Sequence, residues 1–263
     1  MKLKGRIALI TGSGQGIGLA TLRAFGAEGA TVIVSDVVDE RAAVAAEVLK
    51  REGCSVDSIK IDVGDPDSIA AGFAAVADRH GRLDIFVNNA GIGGNKPFVD
   101  VTLEEFERTI KINLTGAFLC AQAATRQMLK QEQIAGIRPK IINICSLSGQ
   151  RGGKGRTAYG AAKAGLDLIT RVMATELAEQ GLNVNAIAPG PIETDMAVFA
   201  HTGGTREAYL FLTPQRRYGD VTEIAKAAVF LASSDSDYIN GVTLNVDGGF
   251  GSAGLQYPLP DQR

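Results

Sequence analysis

The stretch Arg6-Ile7-Ala8-Leu9-Ile10-Thr11-Gly12-Ser13-Gly14-Gln15-Gly16-Ile17-Gly18 decides the fold. Residues 6–10 form a short apolar run that is typical of a buried parallel strand. A glycine-rich turn follows, and apolar residues at helical spacing begin with Leu19 and Leu22. Glycines let the backbone approach a pyrophosphate closely, and a helix N-terminus offers unpaired N–H groups. This order of strand, turn and helix indicates a dinucleotide-binding site, and a plain glycine-rich turn is the alternative.

Asp36 ends the second strand-like run, residues 31–36, and lies 18 positions beyond Gly18. A dinucleotide-binding fold places at this point the carboxylate that accepts a hydrogen bond from the ribose 2′-hydroxyl. Capping of the helix predicted from Glu40 is the alternative role, and both can hold. Val37 and Gln15 offer no cation to a 2′-phosphate, so the sequence favours NAD as the cofactor over NADP.

The rest of the chain alternates between strand and helix patterns without an internal repeat or a linker. Further strands are predicted at 55–63, 83–87, 140–146, 182–188 and 242–246, and helices at 40–51, 66–80, 102–133, 157–179 and 222–233. This alternation predicts a single-domain, doubly wound α/β Rossmann fold over residues 1–263, with a seven-stranded parallel sheet flanked by helices. The weak pattern within 191–220 suggests a mobile segment that covers the substrate. The tail, 251–263, receives no functional interpretation.

Composition excludes several classes of function. The 263 residues carry a net charge of -2 without a Lys/Arg run, so nucleic acid is not an expected partner. No apolar run reaches about 18 residues, so no membrane span is expected. Three widely spaced cysteines suggest reduced thiols and a cytoplasmic location. With only two histidines besides, a zinc site is not expected, and the predicted metal content is none.

Tyr159 and Lys163 lie four residues apart in a predicted helix and therefore share one face. A fixed positive charge near a phenol favours the phenolate, which can act as a base. Many helices contain this spacing by chance, with a half-buried Tyr and a solvated Lys. Ser146 ends the fifth predicted strand, 13 positions before Tyr159. Asn113 interrupts the apolar stripe of the 102–133 helix, which a polar network, a functional role or solvation could explain.

Taken together and in order, these motifs resemble the classical short-chain dehydrogenase/reductase family over about residues 3–250. Asn113, Ser146, Tyr159 and Lys163 match the family's catalytic tetrad in order and spacing. The stretch 11–18 looks like its cofactor loop, and Asn88-Asn89-Ala90-Gly91 is similar to its sheet-stabilising motif. Gly14 is a departure, since many relatives carry Ser or Arg there.

The resemblance implies a set of residues that bind the cofactor. Besides Tyr159 and Lys163, they are Gly12, Ser13, Gln15, Gly16, Ile17, Gly18, Asp36, Asp62, Val63, Asn89, Ala90, Gly91, Pro189, Gly190, Ile192 and Thr194. For Asp62 the residues leave two roles open, contact with the adenine amino group or capping of a turn. Residues 88–91 are equally consistent with a ligand crevice or a structural turn.

The resemblance also implies the reaction. Tyr159 removes a proton from a substrate hydroxyl, Ser146 hydrogen-bonds the substrate oxygen, Lys163 holds the nicotinamide ribose, and Asn113 supports a water that relays protons. The small-molecule substrate is expected to be a polyol, sugar or simple secondary alcohol, and a 3-oxoacyl-[acyl-carrier-protein] reductase is the alternative. The resemblance points to a homotetramer. A methyltransferase and a non-enzymatic cofactor sensor are rival classes, and neither needs the full tetrad.

Three regions are expected to contact the substrate: residues 93–98, 148–156 and 196–217. Arg151, Lys154 and Arg156 in the second region could meet an anionic group, and a solvated loop is the alternative. The sequence does not identify the substrate.

Overall fold

A computed structural model of the protein describes residues 1–132, 134, 136–254 and 256. Seven strands are present in this part of the chain: β1 (Ile7–Thr11), β2 (Thr31–Ser35), β3 (Ser55–Ser58), β4 (Ile85–Asn88), β5 (Lys140–Ile144), β6 (Asn183–Pro189) and β7 (Thr243–Val246). They form one sheet in the order β3-β2-β1-β4-β5-β6-β7, and every neighbouring pair is parallel. Of the tail predicted at 251–263, residues 255 and 257–263 lie outside the described residues.

Helices connect the strands. They are α1 (Gly16–Ala27), α2 (Asp39–Arg51), α3 (Pro66–His80), α4 (Leu103–Ile110), α5 (Ala117–Lys130), α6 (Thr157–Leu177), α7 (Asp195–Ala200), α8 (Thr205–Leu212) and α9 (Val221–Ala232). Local chemistry fixes several of their ends. Asp65 caps α3 by accepting from the backbone N–H of Asp67, and Pro66 occupies the first turn. Thr102 and Glu105 form a reciprocal capping box at the start of α4.

The helices cover both faces of the sheet. One apolar core packs α1, α2 and α9 against one face through residues such as Leu22, Leu49 and Ile224. A second core packs α3, α5 and α6 against the other face, with Phe73 and Met128 fully or almost fully buried. Such a sheet is buried on both sides, which explains the nearly continuous apolar strands. The predicted fold class, a single doubly wound domain, is confirmed.

The sheet order reverses beside β1, which lies between β2 and β4. Loops that leave β1 and β4 therefore diverge and open a crevice at the carboxyl ends of the strands. The Asn89 side chain joins the two loops, because its Nδ2 donates to the carbonyls of Thr11 and Gly12 at 2.9 and 3.0 Å. The Thr11 hydroxyl oxygen in turn accepts from the backbone N–H groups of Asn89 and Ala90.

Two predicted elements differ from the structure by more than two residues. The strand predicted at 55–63 ends at Ser58, the last residue that pairs with β2. The Ile59 N–H still donates to the Val34 carbonyl at 3.0 Å, and the side chains of Ile59 and Ile61 are buried beyond the strand. The single helix predicted at 102–133 consists of α4, a π-helical segment at Lys111–Gly116, and α5, which ends at Lys130. The predicted end at Gln133 lies outside the described residues. π-Helical turns of this kind are frequent at functional sites.

The segment predicted at 191–220 is more regular than its sequence pattern suggests. It contains the two short helices α7 and α8. Its ends are joined, because Ile192 and Gly219 form a parallel bridge. The Gly219 N–H donates to the Pro191 carbonyl at 2.9 Å, and the Glu193 N–H donates to the Gly219 carbonyl at 2.9 Å. The segment is therefore a closed loop anchored at its base.

Candidate active site

A cavity of ≈ 550 Å³ lies at the carboxyl ends of the strands. Of the site residues predicted from sequence, those on its wall are Gly12, Gln15, Gly16, Ile17, Asp36, Asp62, Val63, Asn89, Ala90, Gly91, Ser146, Tyr159, Lys163, Pro189, Gly190, Ile192 and Thr194. The cavity thus joins the glycine-rich turn at one end to Tyr159 at the other. The fold brings together residues as far apart in sequence as Gly12 and Thr194, which are separated by 182 positions.

Ser13 and Gly18 were predicted to bind the cofactor, but they lie behind the cavity wall. The Ser13 side chain is fully buried, where its hydroxyl donates to the Ile10 carbonyl at 2.7 Å and accepts from the Ser35 N–H at 3.0 Å. At Gly18, a Cβ would lie 2.7 Å from both Asn89 Nδ2 and the Gly12 carbonyl oxygen. Both residues therefore shape the turn by holding it against its neighbours.

Asn113 also lies behind the wall, fully buried in the π-helical segment. Its amide forms two hydrogen bonds to one residue, accepting from the Ile92 N–H and donating to the Ile92 carbonyl, both at 2.8 Å. These bonds satisfy the buried amide and fix the loop that follows β4. Of the explanations open from sequence, solvation of Asn113 is wrong and a buried polar network is what the structure contains.

Tyr159 lies in the first turn of α6, with Lys163 one turn later on the same face. The buried Lys163 ammonium donates to the Ile144 carbonyl at 2.7 Å and lies 5.8 Å from the centre of the Tyr159 ring. Ser146 follows β5, and its hydroxyl oxygen accepts from the Ser148 N–H at 3.1 Å. That bond orients the side chain and leaves the hydroxyl proton for another acceptor.

Cys145 lines the cavity beside Ser146, and its thiol is a second potential nucleophile there. Burial raises the pKa of its thiol to about 12, so the thiolate is not accessible near neutral pH. Other titratable groups on this part of the wall are Tyr159, Lys163, Tyr209, His201, Asp195, Arg151 and Arg156. In the described residues, no group of three or more His, Cys, Asp or Glu side chains could hold a metal ion.

Comparison with known proteins relates this site to a family. The sequence model of a family described as enoyl-(acyl carrier protein) reductase matches residues 12–251. The chain is 40% identical over 248 residues to 5-keto-D-gluconate 5-reductase from Escherichia coli strain K12, covering 94% of this chain and 96% of that protein. It is 38% identical over 251 residues to the 3-oxoacyl-[acyl-carrier-protein] reductase FabG of Aquifex aeolicus, covering 95% and 98%.

A solved structure of gluconate 5-dehydrogenase from Burkholderia cenocepacia, in complex with NADP and tartrate, is 37% identical and superposes with a TM-score of 0.89 over 96% of this chain and 98% of that one. The chain belongs to the classical short-chain dehydrogenase/reductase family. It is therefore an oxidoreductase of a family that uses a nicotinamide cofactor. No helix among the described residues is long and apolar enough to cross a membrane.

The residues of this short-chain dehydrogenase/reductase fit a dinucleotide at the glycine-rich turn. Helix α1 begins after Gln15 without a side-chain cap and has no acidic residue in its first turn. Its first N–H groups are thus free for a pyrophosphate. At Gly12, φ is +61° and a Cβ would lie 2.8 Å from the Cα of Ala90. Only glycine lets the two loops come this close, which leaves the helix N-terminus open to the cavity.

At the end of the cavity near the glycine-rich turn, two backbone N–H groups hold the side chain of Asp36. The buried Asp36 carboxylate accepts from the Gly14 N–H at 3.1 Å and from the Val38 N–H at 3.0 Å. Val38 is the N-terminal cap residue of α2, so Asp36 both lines the cavity and supports the start of that helix. Asp62 likewise lines the cavity and accepts from the Gly64 N–H at 2.8 Å, so its turn-capping role is present.

The wall also contains residues that were not predicted from the sequence, among them Arg41, Ile112 and Phe250. Arg41 follows Asp36 by five positions in the first turns of α2, and this spacing is the signal that could have located it. Phe250 follows the turn after β7. Of the three regions predicted to contact substrate, 148–156 and 196–217 contribute to the wall, but residues 93–98 do not.

Proposed function

We propose that the protein is an NAD-dependent oxidoreductase that interconverts a secondary alcohol and the corresponding ketone. One observation carries this proposal: Tyr159, Lys163 and Ser146 share a single cavity with the free N-terminus of α1 and with Asp36. A ligand that spans this cavity is in contact with a base at one end and with a ribose acceptor at the other. When bound, the nicotinamide accepts or supplies the hydride.

Tyr159 is the proposed general base and acid. In oxidation its phenolate takes the proton of the substrate hydroxyl, and in reduction the phenol returns a proton to the carbonyl oxygen. The Lys163 ammonium lies 5.8 Å from the ring centre, where its charge can stabilise the negative charge that develops on the Tyr159 oxygen during proton transfer. It is held there by the Ile144 carbonyl, which leaves two of its three N–H donors for the nicotinamide ribose.

Ser146 is proposed to bind the substrate oxygen in both states. Because its own oxygen is already engaged by the Ser148 N–H, its hydroxyl is oriented as a donor. A donor at this point stabilises the charge that develops on the oxygen during proton transfer. Asn113 acts one step away, through the Ile92 backbone that it holds. We assign to it the support of the loop beside the site and of a water that relays protons.

Further residues on the wall, which were predicted from the sequence to bind the cofactor, are assigned to it. Pro189 ends β6, and Gly190, Ile192 and Thr194 follow it. At Gly190 a Cβ would lie 2.7 Å from the Cα of Asp247, so the strand ends pack closely there. Thr194 caps α7 through the Ala197 N–H at 3.1 Å. We propose that this stretch holds the nicotinamide amide and that Asp62 and Val63 line the adenine.

The choice of NAD over NADP rests on Asp36. A 2′-phosphate would bring a second negative group next to its carboxylate, and like charges in contact cost several kcal/mol. Val37 is apolar, and Lys2 is paired with Asp235. Arg41 is the specific competitor, because it lines the cavity near Asp36. The gluconate 5-dehydrogenase from Burkholderia cenocepacia was solved in complex with NADP, so the preference for NAD or NADP has to be measured for this protein.

The substrate is proposed to be a polyol, sugar or simple secondary alcohol. Two relatives, 5-keto-D-gluconate 5-reductase and gluconate 5-dehydrogenase, are named for sugar acids. The alternative is a 3-oxoacyl-[acyl-carrier-protein] reductase, and similarity to FabG favours it to nearly the same degree. We also propose a homotetramer, with α4, α5 and α6 pairing between subunits.

A panel of alcohols and ketones tests the proposal. Each compound is incubated with NAD or NADP in the matching redox state, and turnover is followed by the absorbance of the reduced cofactor. The proposal expects turnover of secondary alcohols or ketones with a higher kcat/KM for NAD. Methyl-donor binding without NADH binding would indicate the rival methyltransferase class.

A further inference from the structure

Arg156 lies beside the proposed base, on the same cavity wall. It precedes α6 as its N-terminal cap residue, three positions before Tyr159. Its guanidinium carbon lies 5.6 Å from the centre of the Tyr159 ring. Nη1 donates to the Gly94 carbonyl at 3.1 Å, and Nη2 lies 3.2 Å from Nε2 of His201.

The hydrogen bond between Arg156 and His201 fixes the state of the imidazole. A guanidinium can only donate, so His201 Nε2 must accept and carries no proton. The proton of the neutral ring is then on Nδ1, which donates to the hydroxyl oxygen of Tyr218 at 2.9 Å. Tyr218 is buried, and His201 also stacks on Tyr209 with 4.5 Å between ring centres. The guanidinium of Arg156 is therefore held by uncharged groups that are themselves packed in place.

The positive charge of Arg156 has no counter-ion in the described part of the chain, where no carboxylate oxygen lies within 4.0 Å of its nitrogens. Two other arginines of this region, Arg206 and Arg217, differ in this respect. Arg206 is paired with Glu193, and Arg217 is paired with Glu223 at 2.7 Å. Two of the five N–H donors of Arg156 are used, which leaves three for a ligand.

The loop geometry places Arg156 at the cavity rather than in solvent. Gly155 has a φ of +76°, and a Cβ there would overlap the Asn95 side chain. The Lys96 N–H donates to the Gly155 carbonyl at 3.2 Å, so the loop before α6 is attached to the loop after β4. Arg151 lies on the same wall but contacts Phe250, since its Nη1 donates to the Phe250 carbonyl at 2.6 Å and its guanidinium carbon lies 5.6 Å from the centre of the Phe250 ring. Arg156 is thus a cation that the fold directs to the reacting end of the cavity, in addition to Lys163.

We propose that Arg156 binds the carboxylate of the substrate, and that the substrate is a hydroxy acid or the corresponding oxo acid. The planar fork of a guanidinium matches a carboxylate, and a cation without a counter-ion in a cavity gains from an anionic ligand. Since Arg156 adjoins Tyr159, the carboxylate and the reacting carbon belong to one small molecule. This inference rests on the proposed function and names the substrate class for that same site.

The experiment compares oxo acids with their neutral amides, for example 5-keto-D-gluconate with its amide and acetoacetate with acetoacetamide. Each pair shares a skeleton and differs in charge. For the parent enzyme we expect kcat/KM of the acid to exceed that of the amide by about tenfold or more. Arg156→Gln should raise the KM of the acid by about 10- to 100-fold and change that of the amide by less than about twofold. Arg156→Lys keeps the charge and loses the planar guanidinium, so its KM for the acid should lie between the values for the parent and for Arg156→Gln.

Lys154→Gln is the matched control, because it removes an equal charge from the same loop at an exposed position off the cavity wall. It should leave the ratio of acid to amide unchanged. NADH binding and the melting temperature of each variant show that the fold and the cofactor site are intact. Amides used as well as acids by the parent, or a loss in Arg156→Gln that is equal for both, would overturn the inference and leave the proposed function standing. If no ketone or alcohol is turned over with either cofactor, the proposed function fails first.

Discussion

The Oδ2 atom of Asp36 accepts a hydrogen bond from the backbone N–H of Gly14 at 3.1 Å. A Cβ at Gly14 would lie 2.8 Å from the same oxygen, so glycine is what lets the turn after β1 meet the carboxylate that follows β2. The other oxygen accepts from Val38. The position of the carboxylate is therefore set by backbone on both sides, before any ligand binds.

This arrangement predicts the cofactor preference. The parent should favour NAD over NADP by about a hundredfold or more in kcat/KM, because two negative groups in contact cost several kcal/mol and about 1.4 kcal/mol corresponds to tenfold. Asp36→Ser should erode the preference, and the added change Val37→Arg should invert it. Both are measured as specificity constants for the two cofactors.

Arg41→Gln is the control for the competing explanation. If Arg41 binds a 2′-phosphate, the parent uses NADP as well as NAD, and Arg41→Gln loses its activity with NADP. In that case Asp36→Ser lowers the stability of the protein but does not change the ratio of kcat/KM for NAD to kcat/KM for NADP. That set of outcomes would assign Asp36 to the support of α2 alone.

His201 should make stability depend on pH. Burial, and after it the charges of Arg156 and Arg206, lowers the pKa of His201 below its ordinary value of 6.5, while Glu193 acts in the opposite direction. The rings of Tyr209 and Tyr218 are its other neighbours. Below about pH 6.5 the unfolded chain takes up a proton that the folded chain does not, so stability falls as pH falls through this range and is unaffected above it.

Melting temperatures between about pH 5 and 8 measure this effect. From the neutral to the acidic end of this range, the melting temperature of the parent should fall by more than that of His201→Gln, because the variant has no imidazole to protonate at this position. Equal losses in the two proteins would show that His201 titrates normally in the folded state.

Gly116 should be intolerant of a side chain. It ends the π-helical segment, and a Cβ there would overlap the Val63 carbonyl. Gly116→Ala should lower the free energy of unfolding by about 1–3 kcal/mol, since the packed backbone must shift. Because Asn113 lies in the same segment, activity should fall as well. Denaturant titration measures the first effect.

Gly204→Ala is the matched control, because a Cβ there meets nothing within 4 Å. Its free energy of unfolding should stay within about 0.5 kcal/mol of the parent. A Gly116 variant as stable as this control would remove the proposed constraint on the π-helical segment.

Assembly should depend on the exposed apolar face of α6. Leu168 and Val172 lie one turn apart there and are 58% and 47% exposed, and Phe118 and Leu129 on α5 are exposed by 42% and 43%. Exposed apolar patches usually mark interfaces. Sedimentation at micromolar concentration should give a tetramer, and Leu168→Glu should dissociate it. Val44→Glu, at an equally exposed apolar position of α2, should not; a monomeric parent would contradict the assembly proposal.

The features that could be predicted from the sequence are those that depend on contacts between residues close together in the chain. The glycine-rich turn, the Asp36 position and the spacing of Tyr159 and Lys163 each reflect a backbone or face geometry that short-range rules describe. Helix α3 was predicted with its observed ends, because Pro66 and the αL residue Gly81 delimit it. Most predicted cofactor residues accordingly lie on one cavity wall.

Long-range contacts explain what the sequence could not supply. The π-helical segment around Asn113 depends on a partner, Ile92, that is 21 positions away. Helices α7 and α8 are short, and the two ends of their segment are joined by the bridge between Ile192 and Gly219, which are 27 positions apart. Arg156 could not be distinguished from Arg151 and Lys154, because its neutral partners, Gly94 and His201, come from distant parts of the chain.

The account as a whole depends on Tyr159 as the base, and Tyr159→Phe tests this most directly. The change keeps the ring and its packing and removes the titrating oxygen, while Tyr238→Phe, at a fully exposed position, serves as control. Turnover of the best alcohol or ketone and NADH binding are measured on the same samples. The account predicts that Tyr159→Phe binds NADH as the parent does and loses at least about a hundredfold in kcat. Turnover within about tenfold of the parent, a difference of about 1.4 kcal/mol in the barrier, would contradict it.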